Sequence, residues 1–202
     1  MSDTAPAIDD ATVSKAADLQ IWNDKGEKVR FGSLFEEEKA VVVFIRHFFC
    51  GNCQQYVAQI AAVPEDKLKD ASVHVSVVGC GDWKLIQNYK DVTGFKGEIF
   101  ADPDRTLYHA LGMTTETLKG TPSGEKRRSY LKDGALKNVF TSIWNGPLKS
   151  PQHIGKQGNI SQLGGEFIFG PGKSCSFASR MKNTEDHVEV ADLMKSVGVT
   201  FP

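Results

Sequence analysis

Five apolar residues in a row, Val41-Val42-Val43-Phe44-Ile45, stand just ahead of two cysteines spaced by two residues, Cys50-Gly51-Asn52-Cys53. A run of this kind fits a strand covered on both faces, as in the middle of a parallel sheet. A cysteine pair at its end, opening a helix, is the pattern of a thioredoxin-like redox site, because a helix N-terminus favours a thiolate. The helix is expected from Cys50 to about Val63, with Pro64 marking its end. Cys53, Val57, Ile60 and Ala61 then share one apolar face.

The rest of the chain extends this unit. Val73 to Gly79 reads as a second strand, ending at Cys80-Gly81, and Asp82 caps a helix that runs to about Thr93 and stops at Gly94. Glu98 to Ala101 is a third short strand, followed by a helix from Asp104 to Leu111 that stops at Gly112. The order β-α-β-α-β-α calls for a parallel sheet with helical crossovers. Upstream, Ala17 to Trp22 and Lys28 to Phe31 flank Asp24-Lys25-Gly26 as a short hairpin. Downstream, Glu166 to Phe169 and Cys175 to Arg180 flank Gly170-Pro171-Gly172-Lys173 as a second hairpin, and Val188 to Val197 is a final amphipathic helix. Phe140 to Trp144 reads as the end of a further helix, and Lys149 to Gly164 as loop. The expected fold is α/β and thioredoxin-like: a central mixed sheet flanked by helices, with an elaborated segment between about residues 112 and 164. Residues 1–14 are expected to be a flexible arm and residues 15–202 a single domain, which suits a chain of 202 residues.

Composition removes several classes. A formal net charge of −1 and a pI near 6.5 argue against nucleic acid as a partner. No apolar stretch approaches the roughly 18 residues of a membrane span, so no membrane is expected either. Met1 to Ala16 has neither the basic end and apolar middle of a secretory signal nor the arginines of a transit peptide, so a cytoplasmic location is expected. Four cysteines are too few for a disulfide scaffold and suit redox use of the close pair.

Two cysteines one helical turn apart lie on the same side of a helix, so their sulfurs can meet without moving the fold. Cys50, at the helix N-terminus, is the expected nucleophile, and Cys53, deeper on the apolar face, the resolving thiol. Arg46 and His47 stand just upstream. Arg46 is a candidate for adding positive charge at the thiolate and binding a peroxide or carboxylate oxygen, or it pairs with an acid. His47 is a candidate for tuning the thiolate or transferring a proton, or it is a hydrogen-bonded structural residue. Cys80, at the end of a neighbouring strand, is a candidate third thiol, with a small buried structural residue as the alternative. Phe49, Trp144, Gly164 and Gly165 are candidates for lining a substrate pocket. From Lys119 to Lys137 six basic residues stand against two acidic ones, and Lys126-Arg127-Arg128 either steers an anionic substrate or is a solvated loop. Two inert buried cysteines, or half of a zinc site, are the alternatives to redox use. The second ligand pair that a structural zinc site needs is not evident, so no metal or other cofactor is expected.

Phe44-Ile45-Arg46-His47-Phe48-Phe49-Cys50-Gly51-Asn52-Cys53 resembles the peroxiredoxin-like 2 group of the AhpC/TSA superfamily, nearest its 2C branch. Ile99 to Arg105, Leu107 to Met113, Ser142-Ile143-Trp144, Gly146-Pro147-Leu148 and Gly164-Gly165 leading to Phe169-Gly170-Pro171-Gly172 extend the resemblance over about Ala16 to Val199. It implies a thioredoxin-like fold and an antioxidant or thiol oxidoreductase role. The chain departs from ordinary peroxiredoxins, whose cysteine sits in a P-x-x-x-[TS]-x-x-C pattern: Val43 stands at the proline position and His47 at the Thr/Ser position. Where thioredoxins carry a cis-proline, this chain has Gly164-Gly165.

The leading expectation is thus a thiol-dependent oxidoreductase whose dithiol acts on a peroxide or disulfide and is reset by an external thiol of thioredoxin or glutathione type. Two alternatives stay open: an enzyme on the same scaffold acting on a small organic substrate, and a non-enzymatic redox sensor or binding module. The oligomeric state is open as well, a homodimer included.

Overall fold

The computed structural model describes residues 8–131 and 155–201. Its first helix, α1 (Asp10–Ala17), is capped by Asp9, whose carboxylate accepts the Thr12 N–H at 2.6 Å. Val13, Ala16 and Ala17 are buried on the inner face of α1. The arm expected over residues 1–14 therefore gives way to helix at Asp10, because an apolar face and a good cap together hold a short helix on the core. Residues 1–7 lie outside the described residues.

The first hairpin forms as β1 (Gln20–Trp22) and β2 (Lys28–Arg30), followed by a 3-10 turn over Phe31–Phe35. The expected alternation then appears as β3 (Lys39–Phe44), α2 (Gly51–Ala61), β4 (Val73–Gly79), α4 (Ile86–Thr93), β5 (Glu98–Ala101) and α5 (Thr106–Ala110). An extra helix, α3 (Glu65–Asp70), follows α2, and Pro64 is its N-cap residue rather than only the end of α2. The second hairpin is β6 (Gly165–Gly170) with β7 (Ser174–Arg180), and α6 (Val190–Lys195) is the last helix. The helix expected at Phe140 to Trp144 lies outside the described residues.

Among the described residues, one mixed sheet holds seven strands in the order β2-β1-β5-β4-β3-β6-β7. β3, β4 and β5 are parallel, while β1 and β6 run antiparallel to β5 and β3. The central valines alternate between two cores. Val41, Val43, Val75 and Val77 pack beneath α2, α4 and α6, and Val42, Phe44 and Val78 pack on the other face with α1 and α5. Burial on both faces is why these strands read as continuous apolar runs.

Gly164 and Gly165 are where the strands approach most closely. A Cβ on Gly164 would lie 1.8 Å from the Phe44 carbonyl oxygen, and one on Gly165 would lie 2.2 Å from that of Ser179. The space beside both glycines is filled by the backbones of β3 and β7. On the Cβ side of both glycines it is the neighbouring strands that make the close approach. No helix of the described residues is long and apolar enough to cross a membrane.

Candidate active site

Beyond Phe44 the chain leaves β3 through Arg46-His47-Phe48-Phe49 and turns into α2. The turn is closed by the Cys50 N–H donating to the His47 carbonyl at 3.0 Å. Cys50 is the N-cap residue of α2, and its sulfur accepts the Cys53 N–H at 3.4 Å. Cys53, Tyr56, Val57 and Ile60 form the buried stripe of this helix. The two sulfurs thus come from the first turn of a helix pressed against the carboxyl end of β3.

Both cysteines are free thiols, with Cys53 Sγ 2.9 Å from Cys50 Sγ. The Arg46 guanidinium donates to Cys50 Sγ at 3.4 Å through Nη1 and to the Ile160 carbonyl at 2.5 Å through Nη2. The Arg46 backbone N–H points at Cys53 Sγ, also at 3.4 Å. The Cys53 thiol, then the nearby Arg46 charge and the Cys53 N–H, hold the Cys50 pKa down at about 6 against the opposing effect of burial. A thiol of that pKa is about 90% thiolate at pH 7. Burial, followed by the neighbouring Cys50 sulfur, pushes Cys53 the other way, well above the ordinary thiol value. The pair is therefore a thiolate and a thiol sharing a hydrogen, with the thiolate at Cys50.

These shifts set an expected pH profile. Alkylation of Cys50 by iodoacetamide should rise with pH through a midpoint near 6 and level off above pH 7, since only the thiolate reacts. Arg46→Met should move the midpoint up by about 1 unit, the scale for losing an adjacent opposite charge. Rates read by mass spectrometry on the Cys50 peptide check both statements.

The site is dry. Cys50 is 4% exposed and Cys53 fully buried. Part of the cover is the stretch 155–161, which crosses the ends of β3 and β4. There the Phe48 N–H donates to the Gln157 carbonyl at 3.1 Å and the Asp82 N–H to that of Lys156 at 2.8 Å. In such surroundings the Arg46 charge acts on Cys50 with little screening by water.

The remaining expected residues divide. His47 is buried, and desolvation first and the Arg46 charge second push its pKa down to about 3, so its ring is neutral at neutral pH. It brings no positive charge to the thiolate, and its Nδ1 has no hydrogen-bond partner among the described residues. Cys80 donates its thiol hydrogen to the Arg46 carbonyl at 2.9 Å, and burial raises its pKa to about 11. It supports the Arg46 backbone as a protonated thiol. Phe49 is half-buried against the core. Trp144 lies outside the described residues. Arg127 and Arg128 pair with Glu185 and Asp186 at 2.9 and 2.7 Å, so these two charges hold a loop in place.

That loop leads to what sequence reasoning missed. Tyr130, carried by it, donates its hydroxyl hydrogen to the Glu185 carbonyl at 2.6 Å and accepts the His187 N–H at 3.0 Å. His187 is completely buried, and its Nε2 lies 3.4 Å from Cys53 Sγ. Its Nδ1 meets the carboxylate of Glu166 on β6, which is also completely buried. The Tyr56 ring stacks on the imidazole with centroids 4.3 Å apart and planes 4° apart. Asn52 ties the first turn of α2 to the same segment through the Thr184 carbonyl at 3.3 Å. One signal was present in the sequence: a lone carboxylate, Glu166, inside an apolar strand.

Comparison with known proteins gives the family and the fold. A family model described as "AhpC/TSA antioxidant enzyme" matches residues 60–183, a stretch that begins just after the dithiol. Mouse peroxiredoxin-like 2C is 35% identical over 184 residues, covering 91% of this chain and 79% of that protein. Zebrafish prostamide/prostaglandin F synthase is 24% identical over 181 residues, covering 87% and 82%. Among solved structures, Xanthomonas campestris peroxiredoxin Q superposes with a TM-score of 0.60 at 14% identity, covering 98% of this chain and 96% of that one. At that identity the likeness is one of fold.

Proposed function

Because the chain belongs to the AhpC/TSA antioxidant-enzyme family, we propose that it is a thiol-dependent oxidoreductase in which Cys50 attacks a peroxide or disulfide and Cys53 resolves the product. With a peroxide, the Cys50 thiolate takes the distal oxygen, the O–O bond breaks, and an alcohol or water leaves after gaining a proton. Cys50 is then a sulfenic acid. Cys53 attacks that sulfur, an S–S bond replaces the S–O bond, and water departs. An external dithiol, or two monothiols, reduces the disulfide and restores the pair.

The observation that carries this reading is the Cys50 sulfur at the N-terminus of α2, facing Arg46 Nη1 at 3.4 Å with Cys53 Sγ at 2.9 Å. One group lowers the thiol pKa and is placed to meet an oxygen bound there. The other is already within reach for resolution. The hydroxyl that ordinary peroxiredoxins place three residues before the cysteine is replaced by His47. Arg46 and the α2 N-terminus are then left to orient the peroxide.

Peroxide consumption with dithiothreitol or a thioredoxin system as reductant tests the proposal. Turnover above the protein-free blank that disappears on removal of Cys50 is the expected result. Consumption no faster than the blank, with peroxide and with a small disulfide alike, contradicts it. A second reading, an enzyme for a small organic substrate, draws support from the relative named prostamide/prostaglandin F synthase. Activity on such a substrate that persists in a Cys50→Ser, Cys53→Ser double variant would favour it.

A further inference from the structure

We infer that His187, held by Glu166, is the proton acceptor for Cys53 in the resolving step, so that a buried Cys53–His187–Glu166 relay serves the second thiol of the dithiol rather than the first. This rests on the redox reading of Cys50 and Cys53.

The relay follows from where the charges lie. A carboxylate with no solvent exposure is costly unless a cation or several donors face it. Glu166 sits in β6 opposite Val43 on one side and Ser179 on the other, on the sheet face where Val43 and Ile168 join the apolar core. The His187 ring donates its Nδ1–H to one of the Glu166 oxygens, and the other oxygen faces the Val188 N–H at 3.4 Å. A carboxylate on Nδ1 fixes that nitrogen as the protonated one and leaves Nε2 with a free lone pair. The lone pair points at Cys53 Sγ, 3.4 Å away. Tyr56 stacked on one face and Tyr130 edge-on at 6.1 Å fix the ring plane. Nucleophile, base and a group orienting the base are the three parts of an activated thiol.

Cys53 needs such help and Cys50 does not. Cys50 is ionised by its own surroundings, while burial keeps the Cys53 proton in place. Resolution requires that proton to leave. As the Cys53 sulfur bonds to the Cys50 sulfur, its S–H bond breaks and the proton passes to His187 Nε2. The Cys50 S–O bond breaks at the same time, and the departing hydroxide takes the proton from His187 to leave as water. No oxidant beyond the peroxide is needed.

A single-turnover experiment separates the two steps. The protein is mixed with one equivalent of hydrogen peroxide at pH 8 and quenched at intervals. Sulfenic acid is counted by dimedone labelling, and the Cys50–Cys53 disulfide by mass spectrometry. In His187→Gln, sulfenic acid should form at the wild-type rate within about threefold, and disulfide closure should slow by about 100-fold, the lower end for loss of a general base. Glu166→Gln should fall between. The closure rate of His187→Gln should also climb about tenfold per pH unit between 7 and 9, as hydroxide takes over from the imidazole, and more steeply than in wild type. A structural role alone leaves that slope unchanged.

The charged and ionisable groups facing His187 are Glu166 from β6, Cys53 and Tyr56 from α2, and Tyr130 from its loop. Arg46 and Cys50 stand beyond Cys53. Glu185, Asp186 and Glu189 flank the segment, paired with Arg127, Arg128 and Ser129. If both variants fail to fold, nitrogen-15 NMR of the wild-type ring gives the answer. Nδ1 protonated and Nε2 bare supports the relay, and the reverse overturns it. Closure at the wild-type rate in a folded His187→Gln overturns the relay and leaves the oxidoreductase standing. No oxidation of Cys50 in wild type overturns both.

Discussion

Replacing Cys50 with serine is expected to end peroxide-dependent oxidation of the dithiol, a loss of roughly 10⁴-fold or more, while the fold survives. Serine is a favourable N-cap residue, so its hydroxyl takes over the bond from the residue-53 N–H. What it cannot supply is a thiolate. The donors around Cys50 lower a thiol to a pKa of about 6, but a hydroxyl so placed stays protonated. Cys53→Ser should behave differently. Its hydroxyl keeps a donor toward Cys50, so the first step should proceed within about tenfold of wild type. The reaction then stops at the sulfenic acid, which dimedone labels and excess peroxide carries to the sulfinic acid. Intact mass after peroxide distinguishes the three proteins: two hydrogens lost in wild type, no change in Cys50→Ser, oxygen gained in Cys53→Ser.

Gly164→Ala is expected to be the most disruptive added methyl among the described glycines. The atom it would meet, the Phe44 carbonyl oxygen, is backbone and cannot swing aside. β6 would have to separate from β3 where Phe44 pairs with Gly165, and the Met181 N–H would lose its 3.0 Å bond to the Gly164 carbonyl. The same shift would carry Glu166 away from His187. A loss of about 3 kcal/mol or more is expected, at or beyond the usual cost of overpacking, read as a lowered urea midpoint. Gly170→Ala is the control. Its added methyl would meet nothing closer than the Ser174 hydroxyl at 3.2 Å, and a change under about 1 kcal/mol is expected. Equal effects in the two variants would refute this account of the β3–β6 contact.

How much of this was legible depended on how local each signal was. Val41 to Ile45, Val73 to Gly79 and the turn at Gly170-Pro171-Gly172 carry their structure in neighbouring residues, and strands and hairpin appear where the pattern put them. The pairing of Cys50 with Cys53 is local in the same way, one turn of one helix. α1 was misjudged because the short stretch Val13 to Ala17 looks weak until the sheet it covers is in place. Gly164-Gly165 was read as room for a ligand, and sequence does not say which backbones lie on the Cβ side of the two glycines.

The Cys53, Glu166 and His187 cluster joins residues 134 and 21 positions apart, and no periodicity links them. Only the charge of Glu166 among apolar strand residues was open to reading. His47 drew attention by standing next to the dithiol in sequence, yet the histidine that reaches a sulfur comes from the other end of the chain. For the histidine, proximity along the chain was a poor guide to proximity in the site.

The most direct measurement is disulfide peptide mapping of the wild-type protein, reduced and then mixed with one equivalent of hydrogen peroxide. The predicted result is a single new linkage, Cys50 to Cys53 within one chain, with Cys80 and Cys175 still free. An unchanged dithiol under conditions that oxidise a control peroxiredoxin, or a linkage that runs through Cys80, would contradict the account.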